Sequence, residues 1–215
     1  MSKYKGVLFD LDDTVVYSEE SRFRATNKVL EHYNVVISKR EWKQQFRSLS
    51  SLKMFDILKD RNHLDYDSKE MYKQAHDIRL NLEEDEGVKL VEGILELFHF
   101  LEKKEIPFVI CTGGTTGHGK KVLKQHNLDY IELIGREYYT KRKPAPDAFL
   151  EGLKRLGLRG DEVLVFEDSY TGIQSGLAAG CQVIGVNTNE EEDVDSLEIL
   201  AKIKTFEELD YSIFD

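Results

Sequence analysis

The chain has 215 residues, which is enough for one large domain or for one domain with a smaller one inserted into it. Its composition, 40% hydrophobic and 33% charged, is that of an ordinary soluble globular protein. A formal net charge of −10 argues against a nucleic-acid partner, because binding along a phosphate backbone requires a surface rich in lysine and arginine. A small anionic substrate stays compatible with this charge, since a single site can be positive in an acidic protein.

Three features of the sequence predict the compartment. No apolar run approaches the ~20 residues of a membrane span, and charge follows the first apolar residues too soon for a signal peptide. Cys111 and Cys181 each lie within an apolar segment, which is typical of buried, reduced thiols rather than of a disulfide framework. We therefore expect a cytoplasmic protein with no membrane partner, and the sequence leaves its oligomeric state open.

The first predicted element is a strand over residues 6–10, where the run Gly-Val-Leu-Phe ends in Asp10. The next segment, residues 18–86, has helix-like periodicity, no convincing strand and no proline. Because it follows the first strand directly, this all-helical insertion is expected to lie above the ligand crevice as a lid does. We therefore predict a helical cap domain over residues 18–86, inserted into a core domain made of residues 1–17 and 87–215.

Beyond the insertion, short apolar segments alternate with helix-like patterns. Segments that are apolar throughout suit strands buried on both faces of a parallel sheet. The predicted strands are 108–112, 131–134, 163–167 and 182–186, and the predicted helices are 94–104, 119–125, 146–156 and 171–179. The alternation predicts an α/β fold with a doubly wound, Rossmann-like parallel sheet. The acidic run 190–195 is expected to be a solvated loop that leads into a helix.

Carboxylates and other polar groups follow several of these strands. Three like charges follow the first strand within four residues, at Asp10, Asp12 and Asp13. A divalent cation or a lysine can neutralise such an arrangement. A polar turn is the structural alternative, since aspartate favours turns. The ligand crevice of such a sheet lies at the carboxyl ends of the strands, where these groups fall.

Three later segments favour a functional site at that edge. Thr112 ends a strand before two glycines, Lys143 precedes two prolines, and Glu167 with Asp168 ends another strand. Together with the aspartates, these residues suit phosphoryl transfer: a carboxylate nucleophile, carboxylates for Mg²⁺, and a hydroxyl, backbone N–H groups and an ammonium for the phosphoryl oxygens.

The same segments resemble the four motifs of the haloacid dehalogenase superfamily. They read FDLDDT at 9–14, TG at 112–113, KPAP at 143–146 and FEDSYTGI at 166–173. The similarity is nearest to the helical-cap subgroup that contains β-phosphoglucomutase and phosphoglycolate phosphatase. It implies that Asp10 attacks phosphorus and that Asp12 protonates the leaving oxygen and then activates water. Asp12 argues against true haloacid dehalogenation, which normally lacks this second aspartate.

The resemblance also implies the ligands of the site. Thr112, Gly113 and Lys143 would bind the phosphoryl oxygens. Mg²⁺ would be held by Asp10, the backbone carbonyl of Asp12, Glu167 and Asp168. The substrate would be a small phosphorylated metabolite.

The chain departs from the family pattern at two places. Asp13 stands where glycine is most common, and we expect it to be a turn residue, since aspartate tolerates the left-handed conformation. In the cap, the related sugar phosphomutases carry a Gly-x-Ser-Arg stretch, whereas residues 48–52 read SLSSL, without the arginine. Hydrolysis is therefore favoured over the alternative, a phosphomutase of the β-phosphoglucomutase type. Arg22 and Arg47 are candidate substrate contacts in the cap.

Two other classes share parts of this pattern. Residues 114–121, GTTGHGKK, nearly match the P-loop motif of nucleotide-binding proteins, but Lys121 replaces the hydroxyl residue that would bind Mg²⁺. Phospho-signalling receivers also combine acids, a hydroxyl residue and a lysine, but they are much shorter and carry the phosphorylated aspartate on a later strand. The six histidines form no metal-binding spacing.

Overall fold

The computed structural model describes residues 3–47, 49–190 and 192–215. The chain divides into two compact units, one formed by Met1–Tyr17 with Lys89–Asp215 and the other by Ser18–Val88. The first unit contains the sheet, and the second is built from helices. The assignment of residues 18–86 as a functional cap domain stays a prediction.

The first unit is built on a six-stranded sheet in which all paired strands are parallel. Its strands are β1 (Gly6–Phe9), β2 (Phe108–Cys111), β3 (Leu133–Ile134), β4 (Val163–Glu167), β5 (Gln182–Val186) and β6 (Ala201–Ile203). Their order, β3-β2-β1-β4-β5-β6, places the switch point of the topology between β1 and β4. The predicted fold class, a doubly wound parallel sheet with an inserted helical region, is confirmed.

The two central strands are buried along their whole length. On one face of the sheet, Phe9 stacks on Phe166 of the neighbouring strand with ring centroids 5.2 Å apart, and Phe98 packs edge-on against Phe9. On the other face, Leu8 and Val165 belong to a second buried apolar cluster. Packing on both faces explains the uninterrupted apolar runs, and it holds the carboxyl ends of these strands rigidly.

The second unit contains α1 (Glu19–Leu30), α2 (Lys39–Glu41), α3 (Ser51–Asn62) and α4 (Ser68–Glu86), with a π-helical turn at Trp42–Phe46. Three of these helices begin at side-chain caps, where Ser38, Ser50 and Asp67 accept backbone N–H groups of the first turn. The apolar residues form their own core around Trp42 and Phe55. The described residues of this unit contain no strand, as the sequence predicted.

Four further helices belong to the first unit: α5 (Ile94–Lys103), α6 (Thr116–Lys124), α7 (Asp147–Leu156) and α8 (Tyr170–Ala178). All four were predicted, but α6 begins three residues earlier than expected, because the Thr115 hydroxyl caps it by accepting the His118 N–H. Within the part of the chain that the structure describes, no helix has the length and apolar character required to cross a membrane.

The expectation of a helix after the acidic run 190–195 is wrong. Instead, a 3₁₀ turn at Val194–Ser196 begins within the run, and the unpredicted strand β6 comes after it. This strand has three residues, none of them fully buried, so it carries too short an apolar pattern to be recognised from the sequence. Glu191 within the run lies outside the described residues.

Candidate active site

The carboxyl ends of β1, β2 and β4 bring the predicted site residues to one edge of the sheet. Asp10 directly follows β1, and its N–H donates to the Phe166 carbonyl of β4 at 2.9 Å. Thr112 follows β2, while Glu167 ends β4 and Asp168 comes next. Because β1 lies between β2 and β4, these groups surround the switch point, where doubly wound sheets bind their ligands.

Lys143 joins this edge from the loop before α7. Its ammonium donates to Asp10 Oδ1 at 2.5 Å, to Glu167 Oε1 at 2.7 Å and to the Cys111 carbonyl at 3.3 Å. The ammonium also lies 4.6 Å from the centroid of the Phe149 ring. The side chain is only 11% exposed, so these charge-assisted hydrogen bonds form in a nearly dry environment.

Glu167 is held from both of its carboxylate oxygens. Besides the Lys143 ammonium on Oε1, the N–H and the hydroxyl of Ser169 donate to Oε2 at 2.8 and 3.0 Å. The carboxylate lies against the backbone of Gly172, where a methyl group would overlap it. Ser169 and Gly172 both lie within the motif at residues 166–173, but no pattern in the sequence indicates a role for either of them.

The acidic cluster of the site comprises Asp10, Glu167 and Asp168, and one carboxylate oxygen from each lies within 4.8 Å of the other two. Burial raises the pKa of Asp10, and the Lys143 ammonium opposes this rise. Burial of Lys143 lowers its pKa, but the carboxylates of Asp10 and Glu167 outweigh this effect and raise the pKa of Lys143 above its usual range. Lys143 is therefore protonated at neutral pH. One ammonium faces three carboxylates here, an excess of negative charge that a divalent cation with oxygen ligands fits.

The turn after β1 explains the third aspartate of the first motif. Asp13 has a φ of +59° and is buried, and its N–H donates to the Val16 carbonyl at 2.7 Å. A β-bridge pairs Asp12 with Val16 and closes the turn. The prediction that Asp13 takes a left-handed turn conformation is confirmed. The side chain of Asp12 is half-buried, and neither its role nor that of its carbonyl is decided by this geometry.

Thr112 and Gly113 form the next part of the site. The Thr112 hydroxyl is buried and accepts the Gly114 N–H at 3.0 Å, so its own hydrogen is available for an acceptor in the crevice. Gly113 is exposed, and a β-carbon built on it would meet no atom within 4 Å. The open space beside Gly113 permits an anion to approach the backbone here.

The P-loop alternative for residues 114–121 is not supported by the structure. In a P-loop, the first turn of the following helix must leave its backbone donors to a phosphate. At the start of α6, the Thr116 N–H donates instead to the Glu137 carboxylate at 2.9 Å, and the His118 N–H to the Thr115 hydroxyl at 3.3 Å. Glu137 thus lies where a phosphate would be required, a role that the sequence did not reveal.

The candidate substrate contacts of the cap have partners inside the helical unit. The Arg22 guanidinium donates to the backbone carbonyls of Arg47 and Leu49 and lies 5.6 Å from the Trp42 ring centroid. Arg47 is paired with Glu19 at 3.3 Å. A substrate role for Arg22 and Arg47 stays a prediction. The segment 48–52 begins with Ser48, which lies outside the described residues.

Comparison with known proteins identifies the family. A model of the haloacid dehalogenase-like hydrolase family matches residues 7–186, so the chain belongs to this family, as its motifs predicted. It is 34% identical to hexitol phosphatase A of Escherichia coli over 188 residues, which cover 85% of this chain and 83% of that protein. It is also 25% identical to the fructose-1-phosphate phosphatase YqaB of the same organism over 191 residues, 86% of this chain and 97% of that protein.

A solved structure shares the fold of this chain. A haloacid dehalogenase hydrolase of family IA from Entamoeba histolytica superposes with a TM-score of 0.85 at 24% sequence identity, covering 97% of this chain and 96% of that one. At that identity the likeness concerns the fold. The family match and the phosphatase relatives together confirm the predicted class of enzyme, a haloacid dehalogenase-like hydrolase of the phosphatase type.

Proposed function

We propose that this protein is a Mg²⁺-dependent phosphatase that hydrolyses a small phosphorylated metabolite through an aspartyl-phosphate intermediate on Asp10. The observation that carries the proposal is the Lys143 ammonium, which lies 2.5 Å from Asp10 and 2.7 Å from Glu167 within a buried carboxylate cluster. An ammonium in this position favours the ionised, nucleophilic form of Asp10 and attracts the phosphoryl oxygens of a substrate.

The proposed reaction has two steps. In the first, a carboxylate oxygen of Asp10 bonds to phosphorus while the bond from phosphorus to the leaving oxygen breaks, and Asp12 gives that oxygen its proton. In the second, Asp12 accepts a proton from a water molecule that attacks the phosphorus. The bond from phosphorus to Asp10 then breaks, which releases inorganic phosphate and restores Asp10.

The phosphoryl group would be held by the Thr112 hydroxyl, the Gly113 N–H and the Lys143 ammonium. These donors come from two separate loops at the carboxyl edge of the sheet, so they can contact different phosphoryl oxygens. The same donors would serve in both steps, because the phosphoryl oxygens keep their negative charge throughout.

The chemistry of the donor set supports Mg²⁺ as the cofactor, since this ion prefers carboxylate and carbonyl oxygens. Asp10, Glu167, Asp168 and the backbone carbonyl of Asp12 are the residues that would hold it. When bound, the ion would supply positive charge that offsets the repulsion between the carboxylates and the phosphoryl group.

The substrate class is proposed from the two relatives, which are named a hexitol phosphatase and a fructose-1-phosphate phosphatase. A phosphorylated sugar or sugar alcohol would have the hydroxyl groups on which a selective site depends. We assign its selection to the cap domain, residues 18–86, with Arg22 and Arg47 as candidate contacts. The free, buried Cys111 and Cys181 are compatible with the cytoplasm as the place of action.

The function is tested by turnover of p-nitrophenyl phosphate and of a panel of hexose and hexitol phosphates with Mg²⁺. The wild type should release inorganic phosphate, and EDTA should abolish the release. Asp10→Asn should lose turnover while its circular dichroism spectrum is unchanged, since its amide is not a nucleophile. Wild-type turnover by Asp10→Asn would exclude the mechanism.

A second variant separates the two steps. Asp12→Asn should accept the phosphoryl group from p-nitrophenyl phosphate, whose leaving group needs no proton, and then stall, which intact-protein mass spectrometry would detect. Conversion of a hexose 1-phosphate to the 6-phosphate without phosphate release would instead identify a phosphomutase. An aspartyl phosphate that persists for minutes in the wild type would identify a receiver.

A further inference from the structure

One face of α8 contacts both Glu167, at the end of β4, and Ala145, in the loop that carries Lys143. Ser169 caps the helix, and Gly172 and Ser175 follow at a spacing of three, so the three residues share a face. Ser169 and Gly172 position the Glu167 carboxylate, as described above. Ser175 is fully buried, and no part of the proposed reaction uses it.

The Ser175 hydroxyl donates to the backbone carbonyl of Ala145 at 2.7 Å. Ala145 lies two residues after Lys143, in a turn that is closed by a hydrogen bond of 3.0 Å from the Ala145 N–H to the Arg142 carbonyl. The residues on either side of Ala145 are prolines, which have no N–H to donate. The loop therefore has few backbone hydrogen bonds of its own, and the bond from Ser175 connects it to a helix.

We propose that Ser175 is a positioning residue for Lys143. By holding the Ala145 carbonyl, it fixes the turn from which the Lys143 side chain reaches Asp10 and Glu167. The same helix fixes Glu167, so a single rigid element sets both the ammonium and one of its carboxylate partners. The inference deepens the proposed function and rests on it for its catalytic consequence, although the positioning itself is a property of the folded chain.

Alanine at position 175 would remove the donor without adding bulk, and would leave the Ala145 carbonyl without this partner. The turn is then free to shift, and displacement of a catalytic group by about 1 Å can lower turnover by up to ~10²-fold. We expect Ser175→Ala to lower kcat for p-nitrophenyl phosphate by about tenfold, because the Lys143 contacts strengthen as charge develops on the phosphoryl oxygens. The KM should change less than kcat.

Two control variants remove the same type of bond elsewhere. Thr26→Val deletes a buried hydroxyl that donates to the Arg22 carbonyl at 2.9 Å in α1, and Ser196→Ala deletes an exposed one that donates to the Asp193 carbonyl at 2.7 Å. Neither bond touches the Lys143 loop. Both controls should therefore keep the wild-type kcat. If a general loss of stability were the cause of a lower kcat, then kcat would fall in Thr26→Val as much as in Ser175→Ala.

A second measurement does not depend on turnover. The rate at which acetic anhydride modifies Lys143 is followed by peptide mass spectrometry in the Mg²⁺-loaded protein, well below the melting temperature. In the wild type the buried, paired ammonium should react slowly. In Ser175→Ala the rate should rise at least about threefold, with the rates at Lys5 and Lys154 as internal references, since both are exposed.

These outcomes separate the inference from the function. A lower kcat together with faster modification of Lys143 supports the inference, and an unchanged rate of Lys143 modification overturns it. An unchanged kcat in Ser175→Ala, with an active wild type, also overturns it. If the wild type hydrolyses no phosphate ester but Ser175→Ala still exposes Lys143, the proposed function fails and the positioning role stands.

Discussion

Replacement of Lys143 by methionine tests the electrostatics of the site. The ammonium lies between Asp10 and Glu167, whose side chains are 9% and 1% exposed. Removing one partner of a buried pair costs ~3–5 kcal/mol, because the remaining charge has no compensation. Burial raises the pKa of Asp10 to about 8 even with Lys143 opposing the rise, so in the variant without the ammonium Asp10 takes up a proton at neutral pH, which places the expected loss near ~3 kcal/mol.

For a chain of this length, ~3 kcal/mol corresponds to a fall in melting temperature of roughly 6–12 °C. Thermal unfolding of Lys143→Met is followed by circular dichroism in EDTA at pH 5 and pH 8. The difference from wild type should be larger at pH 8, because Asp10, with a pKa of about 8, needs the ammonium only while it is ionised. Added Mg²⁺ should raise the melting temperature of Lys143→Met more than that of the wild type.

The matched control is Lys5→Met. It removes an ion pair with Glu162 at 2.7 Å, the same distance as between Lys143 and Glu167, from a lysine that is 57% exposed. An exposed pair contributes at most ~1 kcal/mol, so this variant should melt close to the wild type. Equal melting temperatures of Lys143→Met and Lys5→Met in EDTA would refute the reasoning. A destabilisation of Lys143→Met that is independent of pH would refute it as well.

Four further predictions concern the surroundings of the site and the two buried thiols. Gly172→Ala should displace the Glu167 carboxylate, lower kcat by up to ~10²-fold and raise the Mg²⁺ concentration needed for half-maximal activity. Wild-type kinetics in this variant would contradict the close approach of the Glu167 carboxylate to Gly172. Asp13→Gly should change stability by less than about 1 kcal/mol in denaturant titrations and leave kcat near the wild-type value, whereas inactivation would reveal a catalytic role. Burial raises the pKa of Cys111 and of Cys181 to about 12, so Ellman's reagent should label neither thiol in the native protein at pH 8. Unfolding free energy should also fall as the pH rises beyond about 9, because only the unfolded thiols ionise there, and a flat profile would argue against it.

Much of the core fold was predictable because each central strand is buried on both faces. Such strands are apolar without interruption, and β4 and β5 were predicted with their exact ends. The start of α6 was missed because the cap of a helix depends on the Thr115 side chain rather than on an apolar pattern. The edge strand β6 was missed because it is short and only partly buried.

The site was predictable for a related reason. In a parallel sheet the carboxyl ends of the strands meet at one edge, so Asp10, Thr112 and Asp168 could be assigned to one place from their positions after apolar runs. Supporting residues carry no such signal. Ser175 and Glu137 are ordinary helix and loop residues in the sequence, and only their contacts with Ala145 and Thr116 distinguish them.

The sequence by itself determined the sheet and the candidate groups at its edge, since local runs of apolar residues specify the strands and the residues that follow them supply the polar side chains. The tertiary structure decided how those groups are paired. Lys143 is 133 residues from Asp10 and 24 from Glu167, and their approach depends on the parallel order of the strands and on the packing of α8. No local sequence pattern predicts the distances from Lys143 to these two carboxylates. Only the folded chain brings the charges together and excludes water from around them.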